Sequence, residues 1–326
     1  MKTVYSHRLL GVVCAVLLPV TARAADESAL PGAKPVPDVQ VLPLPDGQAS
    51  FQLLGRELTR YHFGPLVQRP FWYPVVGPSG RSLTRMGHPH DPETHSHHHS
   101  IWIAHKDVGG VNFWEERGGG RIVQQRIEQY DDGPHGASMI TVNAWQAPDG
   151  RTVLLDRRRA SVEPLENGQW LLCIDLQLEA PAARPVTLGS TSFGLLAVRM
   201  AKSIGVNDGG GRILNSEGQR NEKEVFRKPA RWVDYSGPIT RQAREGIALL
   251  DHPSNASFPT PFHVRDDGWM GAALTYQRPI TIEPGKPLRL RYGLWIHDGV
   301  AKREQVESHW QAFAKSEPPV LVPTRK

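Results

Sequence analysis

Seven of the chain's 14 histidines fall between His88 and His105: His88, His90, His95, His97, His98, His99 and His105. Trp102 and Trp114 share the stretch, HPHDPETHSHHHSIWIAHKDVGGVNFW. Neutral imidazole is a common metal ligand and the usual proton shuttle near neutral pH. So many imidazoles together would repel one another if protonated, so the cluster reads as one wall of a site. A strand beginning near His98 would place His99, Ile101, Ile103 and His105 on one face, and His98, Ser100, Trp102 and Ala104 on the other. His95 and His97 lie in the approach to that strand and can join either group. Two or three of His95, His97 and His105 with a carboxylate such as Asp107 would suit zinc, copper or iron. No compact H-E-x-x-H pattern accompanies them, so the same residues also read as a hydrogen-bonded patch or a metal-free catalytic one.

A second constellation stands more than 140 residues later, in DHPSNASFPTPFHVRDDGW. Asp251 and His252 there suit an orienting carboxylate and a base, while Asn255, His263 and Arg265 suit the binding of hydroxyls or an anion. The competing reading is a loop stapled by Asx and imidazole hydrogen bonds. His297-Asp298-Gly299 ends an apolar strand, and LNSEGQRNEKEV offers Glu217 and Glu222 as acids or bases, or simply as solvated loop charge. The triple glycine Gly209-Gly210-Gly211 before it lacks the G-K-[ST] ending of a phosphate loop.

The elements that must position these residues are mostly short strands. ASMITVNAWQ, TVLLDRRRASVEP, QWLLCIDLQLEA, RPVTLGSTSFGLLAVRM, GAALTYQRPITI and LRLRYGLWIHD lie between Gly, Pro, Asn and Asp turns, a spacing that points to an all-β sandwich or barrel. Leu172, Ile174, Leu176 and Leu178 alternate with Cys173, Asp175 and Gln177. In GRIVQQRIEQYD, Val123 and Ile127 are expected on one face with Gln125, opposite Ile122, Gln124 and Arg126. One helix is expected near the end, in VAKREQVESHWQAFAKS, with Val306, Trp310 and Phe313 at helical spacing across the sandwich's edge.

The first 24 residues read as an export signal: basic Lys2 and Arg8, the apolar run Leu9 to Leu18, then Ala22-Arg23-Ala24. The run is too short to anchor in a membrane, so a secreted or periplasmic location follows. Losing Lys2, Arg8 and Arg23 with no acid takes the net charge from +5 to +2. The longest basic run is Arg157-Arg158-Arg159, too small a footprint for nucleic acid. Only Cys173 remains after the signal, so no intrachain disulfide can form. Residues 25–49 read as a flexible leader running into a first edge strand, and 50–326 as a single β-sandwich domain.

HSHHHSIWIAHKDVGGVNFW, ILNSEGQRNE with ARWVDYSG, DHPSNASFPTPFHVRDDGW and YGLWIHDG together resemble a secreted bacterial family labelled "methane oxygenase PmoA", over roughly residues 50 to 300. The family pattern at the first motif is D-H-x-H-H-R-[SG]-[LI]-W followed by H-x-D-V-N-G. His95, His97, His98, Trp102, His105, Asp107 and Gly110 match it, while Thr94, His99 and Gly109 depart from it. Asp251, His252, Pro253, Asn255, His263 and Arg265 match at the second. The activity in that label does not follow, because no mature segment reaches the length of a spanning helix. The resemblance implies a large antiparallel sandwich, mutarotase-like or jelly-roll-like, similar to those of aldose mutarotases and polysaccharide lyases.

The resulting expectation is a secreted carbohydrate-active enzyme acting by acid–base chemistry on a sugar, as an epimerase, a lyase or a glycoside-cleaving enzyme. His98 and His252 would move protons, with Asp251 or Asp107 orienting them. Trp102, Asn255, His263, Arg265, His297 and Glu217 would hold a small-molecule or oligosaccharide ligand, with Trp114, Trp232 and Trp269 as further stacking platforms. The alternatives are a metal-dependent hydrolase or oxidoreductase built on His95, His97 and His105, and a non-catalytic carbohydrate-binding module. No nucleic-acid partner and no membrane span are expected.

Overall fold

The computed structural model describes residues 34–87, 95–117, 119–181 and 184–321. The expected signal at 1–24 lies outside them, as do His88 and His90. The described strands run in chain order as β1 (Val39–Leu44), β2 (Gln48–Leu53), β3 (Arg56–His62), β4 (Phe71–Val75), β5 (Ile101–His105), β6 (Arg121–Asp131), β7 (Ala137–Gln146), β8 (Thr152–Pro164), β9 (Trp170–Glu179) and β10 (Val186–Leu188). They continue as β11 (Gly194–Arg199), β12 (Arg212–Asn215), β13 (Lys228–Pro229), β14 (Trp232–Pro238), β15 (Arg244–Asp251), β16 (Pro261–Arg265), β17 (Trp269–Ala272), β18 (Ile280–Ile282) and β19 (Leu288–Asp298). Two short helices, α1 (Val206–Gly209) and α2 (Asn221–Val225), precede the C-terminal helix α3 (Arg303–Lys315).

Two antiparallel sheets carry the fold. One has nine strands in the order β1-β2-β3-β4-β5-β11-β17-β16-β13, the other eight in the order β12-β14-β15-β19-β9-β8-β7-β6. A short ribbon pairs β10 with β18. The expected all-β antiparallel sandwich with a short C-terminal helix is therefore what forms. Pro37–Lys326 constitutes one compact unit.

Period-two alternation assigns the faces. Leu172, Ile174, Leu176 and Leu178 of β9 join Ile101, Ile103, Leu196 and Val198 of the other sheet in a common core, with Trp72, Trp145 and Trp170 fully or almost fully buried. Each such indole removes roughly 150–250 Å² from water, the dominant stabilising term in this layer. A polar knot interrupts it: Asp156 accepts from Asn143, Trp145 and Arg158, and Arg158 lies over the Trp72 ring at 5.7 Å. Deleting one partner of such a buried pair costs about 3–5 kcal/mol, because it strands the other charge.

Three local expectations are corrected. The strand around the histidines begins at Ile101, because Ser100 takes a left-handed φ of 54° and breaks the extended run before it. Ser100 donates to Thr84 Oγ1 at 2.6 Å, and its N–H and C=O pair with Arg85 and Arg199, which offsets the strain. In β6, Ile127 packs on the core with Ile122 and not on the face of Val123, because a register shift between Gln124 and Arg126 resets the alternation. Such bulges add an unpaired residue to one strand. Helix α3 packs on the outer face of the eight-stranded sheet, and not across an edge: Val306 and Phe313 bury against Trp232, Ala248, Leu250 and Trp295.

Candidate functional site

The site lies on the outer face of the nine-stranded sheet. Cross-strand register places Trp102 of β5 opposite Ala197 of β11, Arg199 opposite Trp269 of β17, Gly271 opposite His263 of β16, and Arg265 beside Trp269. Residues paired this way share a face, so one continuous row runs Trp102, Ala197, Arg199, Trp269, Gly271, His263 and Arg265. The small residues Ala197 and Gly271 leave room above the sheet, and the large ones border a cavity of about 440 Å³. The loop carrying His95, His97 and His98 closes one side, and Phe193, Phe226 and Arg227 close the other.

A buried guanidinium fastens that loop. Arg69, fully buried, donates to the carbonyls of His97 at 3.0 Å and Trp114 at 2.8 Å, tying two segments to one another. Burial lowers its pKa to about 10, still cationic at neutral pH. The His98 ring then stacks between two indoles, 5.2 Å from Trp102 and 5.8 Å from Trp269. At the opposite wall His263 sits 3.8 Å from Trp269, edge to face, with Phe193 and Phe226 around it.

The electrostatics keep these imidazoles neutral. Burial, reinforced by His97 and Arg199, holds His98 far below the ordinary imidazole value. Burial and then the Arg69 charge bring His97 to about 4, and burial brings His263 to about 3, with Arg265 and Arg227 adding to it. His263 Nδ1 stands 3.1 Å from the Ser192 carbonyl, which can only accept. Nδ1 therefore carries the proton, and the Nε2 lone pair is left for a ligand. Beside them Arg199 forks onto Asp267 at 2.9 and 3.2 Å. Burial would raise that carboxyl, but the Arg199 pairing holds it below its usual value.

Buried polar groups are nearly always hydrogen-bonded. Four buried atoms without a partner gather here: His98 Nδ1, Trp102 Nε1, Trp269 Nε1 and Arg199 Nε. Three of the residues that carry them, His98, Trp269 and Arg199, line the cavity, so a few polar groups sit among aromatic rings there, as ligand pockets commonly show.

Of the residues expected at the site, His95, His97, His98, His263 and Arg265 line this cavity, with Trp114 and Trp269, while Trp102 lies beneath His98. The others are elsewhere. His105 shares the inner face with Ile103, fully buried; Nδ1 accepts from the Asp107 N–H and Nε2 donates to Thr275 Oγ1. That placement separates it from His95 and His97, so the expected three-histidine metal set does not assemble. No group of three metal-binding side chains occurs among the described residues. Asp107 closes a turn onto the Gly110 N–H. His99 pairs with Glu116 at 2.9 Å and packs on Phe71, not on the inner face with Ile101.

Asp251 and Asn255 bond one another at 2.7 Å, and Asp251 also takes the Thr260 N–H while Asn255 bridges to the Arg291 backbone. This knot shapes the crossover from β15 of one sheet to β16 of the other. His252 is held by Ser254 and the Ser316 carbonyl. His297 lies on the outer face of the eight-stranded sheet, 2.7 Å from Asp234, and Glu217 pairs with Arg231. Trp232 lies on that face too, donating to Glu307. Sequence reasoning missed Arg199, Arg227, Phe193 and Phe226. The alternation Leu196, Ala197, Val198, Arg199 was the available signal for the first; the others need the cross-strand register.

Comparison with known proteins adds the following. A family model described as "Family of unknown function (DUF6807)" matches residues 48–311. No curated protein matches the chain. Similar solved structures include a heparinase III (11% identity, TM-score 0.33, covering 82% of this chain and 37% of that one). A GalM/aldose epimerase homologue from C. elegans has 9% identity and a TM-score of 0.32, covering 81% and 99% respectively. A 4-alpha-glucanotransferase from Thermococcus litoralis has 12% identity and a TM-score of 0.29, covering 80% and 39%. The chain spans well under half the length of the heparinase and of the glucanotransferase. At TM-scores this low the likenesses bear on no argument about function. No described helix is long and apolar enough to cross a membrane. The methane-oxygenase label suggested by the motifs is corrected by the family match, which carries no such assignment. The chain belongs to DUF6807, a family of unknown function.

Proposed function

We propose that the cavity binds a carbohydrate and performs acid–base chemistry on it, with His98 and His263 as the proton-transfer groups. The observation that carries this reading is the set of imidazoles His97, His98 and His263, kept neutral by burial, gathered among aromatic rings at one cavity. Aromatic faces stack on the apolar faces of pyranose rings, and imidazole, indole and guanidinium N–H groups bond hydroxyls. An imidazole whose Nδ1–H is held by a carbonyl presents Nε2 as a base, the arrangement of His263. Arg199 and Asp267, locked together at the floor, hold charge in place without moving a proton themselves. Export through the N-terminal leader belongs to the same reading and is checked by sequencing the N-terminus of the mature protein.

The test is a panel of mono- and oligosaccharides screened for binding by calorimetry and for conversion by NMR, on wild type and on His98→Gln and His263→Gln. Binding with conversion lost in both variants supports the reading. Turnover surviving in both variants, or no sugar bound, removes it. Binding without conversion in the wild type would instead favour the non-catalytic module, consistent with the aromatic lining.

A further inference from the structure

The charges around the cavity do not balance. Asp267 is taken by Arg199 and Glu115 by Lys106 at 3.2 Å; Glu222, next to the cavity, is taken by Arg265 at 3.1 Å. The remaining lining cation is Arg227, exposed, and it has no carboxylate partner among the described residues. Its guanidinium rests on aromatic rings instead, 4.7 Å from the Phe226 centroid and 5.2 Å from that of Tyr276. Its backbone is held at a left-handed φ of 61° by an N–H bond of 2.7 Å to the Phe262 carbonyl. A non-glycine residue in that region is strained, and such strain clusters at active sites and ligand clamps. His97, His98 and His263, kept neutral by burial, do not change that balance.

We infer that the sugar taken by this cavity is acidic, a uronate whose carboxylate docks on the Arg227 guanidinium while its ring meets the aromatic and imidazole wall. This inference rests on the carbohydrate reading above and narrows it to a substrate class. A planar guanidinium matches a carboxylate through two parallel N–H···O bonds, a geometry a lysine ammonium cannot reproduce. Flat support from Phe226 and Tyr276 keeps the fork oriented before the ligand arrives, so less freedom is lost on binding.

The experiment compares D-glucuronate, D-glucose and glucose 6-sulfate by calorimetry against the full chain, at low and raised salt, and against Arg227→Gln and Arg227→Lys. The expected result is glucuronate binding at least about tenfold tighter than glucose, as a charge-assisted pair supports, with the advantage shrinking as salt rises. Arg227→Gln collapses the glucuronate-to-glucose ratio toward one, and Arg227→Lys restores part of it. Equal affinity for glucuronate and glucose, or a ratio untouched by Arg227→Gln, overturns the inference and leaves the carbohydrate reading standing. Tighter binding of the sulfate than of glucuronate overturns the carboxylate assignment. Binding of none of the three, with none in the wider sugar panel, overturns both, and the salt series on the wild type decides even if a variant fails to fold.

Discussion

Two histidine- and carboxylate-rich regions face away from each other across this sandwich, and they differ in how far their histidine rings are hydrogen-bonded. On the outer face of the eight-stranded sheet, both ring nitrogens of His297 meet oxygen acceptors, from Asp234 and from the Asp298 carbonyl. The crossover knot of Asp251, His252 and Asn255 is similarly bonded, Trp310 of the C-terminal helix donating to the Asp251 carbonyl. On the outer face of the nine-stranded sheet, His98, Trp269 and Arg199 each keep a buried atom unbonded while their side chains border the cavity. The same residue types thus serve as staples in one place and line a cavity in the other. For the histidine rings hydrogen-bond saturation separates the two, although Trp295 Nε1 beside His297 and Thr260 Oγ1 in the knot are unpartnered as well.

The sharpest way to break that contrast is to exchange the roles by mutation. His98→Gln should lower turnover of the sugar substrate by about 100- to 10,000-fold, the usual weight of a positioned acid–base group, while His252→Gln leaves turnover near the wild-type value. Steady-state kinetics on both decides it, and equal losses would erase the distinction. Asp251→Ala should act on stability instead. It strands the Thr260 N–H and the Asn255 amide, costing about 1–3 kcal/mol, seen as a lower urea midpoint with sugar affinity retained in the folded fraction.

Trp269→Leu should weaken sugar binding by about tenfold through loss of the ring that seats His98 and His263, measured by calorimetry, and should also lower the urea midpoint because the indole is buried. pH dependence tests the burial of these rings independently of any ligand. His97 and His105 titrate near 4 and His263 near 3 in the folded chain, against an ordinary value of 6.5. The unfolded chain therefore binds protons that the folded chain refuses, and stability falls as pH drops from about 6.5 toward about 4. Each histidine contributes up to about 1.4 kcal/mol per pH unit. Denaturant titrations in that window check the slope, and His105→Gln should flatten it by one group's share without touching sugar affinity.

Much of this contrast was legible in the sequence at the level of faces and less at the level of sites. TVLLDRRRASVEP and LRLRYGLWIHD coincide with β8 and β19 because their turns and alternation are unambiguous. RPVTLGSTSFGLLAVRM instead divides into β10 and β11, in different sheets, since a Gly-Ser-Thr-Ser break carries no address for the strand that follows. His105 could have been read as a core residue: it keeps the parity of Ile101 and Ile103, and a histidine on an apolar face needs partners rather than a ligand. His252 and His263 lie in one motif, and nothing local says that the first is bonded to Ser316 while the second meets Trp269. Arg199 and Arg227 join the site only through strand pairing and chain crossing, information that no short window contains.

The contrast between the two faces is tested most directly by NMR of the full chain carrying 13C-labelled histidine rings, titrated with the best-binding sugar. The account predicts that the ring signals of His97, His98 and His263 move with occupancy, while those of His105, His252 and His297 stay where they are. Movement of His252 and His297 with His98 and His263 unmoved would contradict it and relocate the site to the opposite sheet.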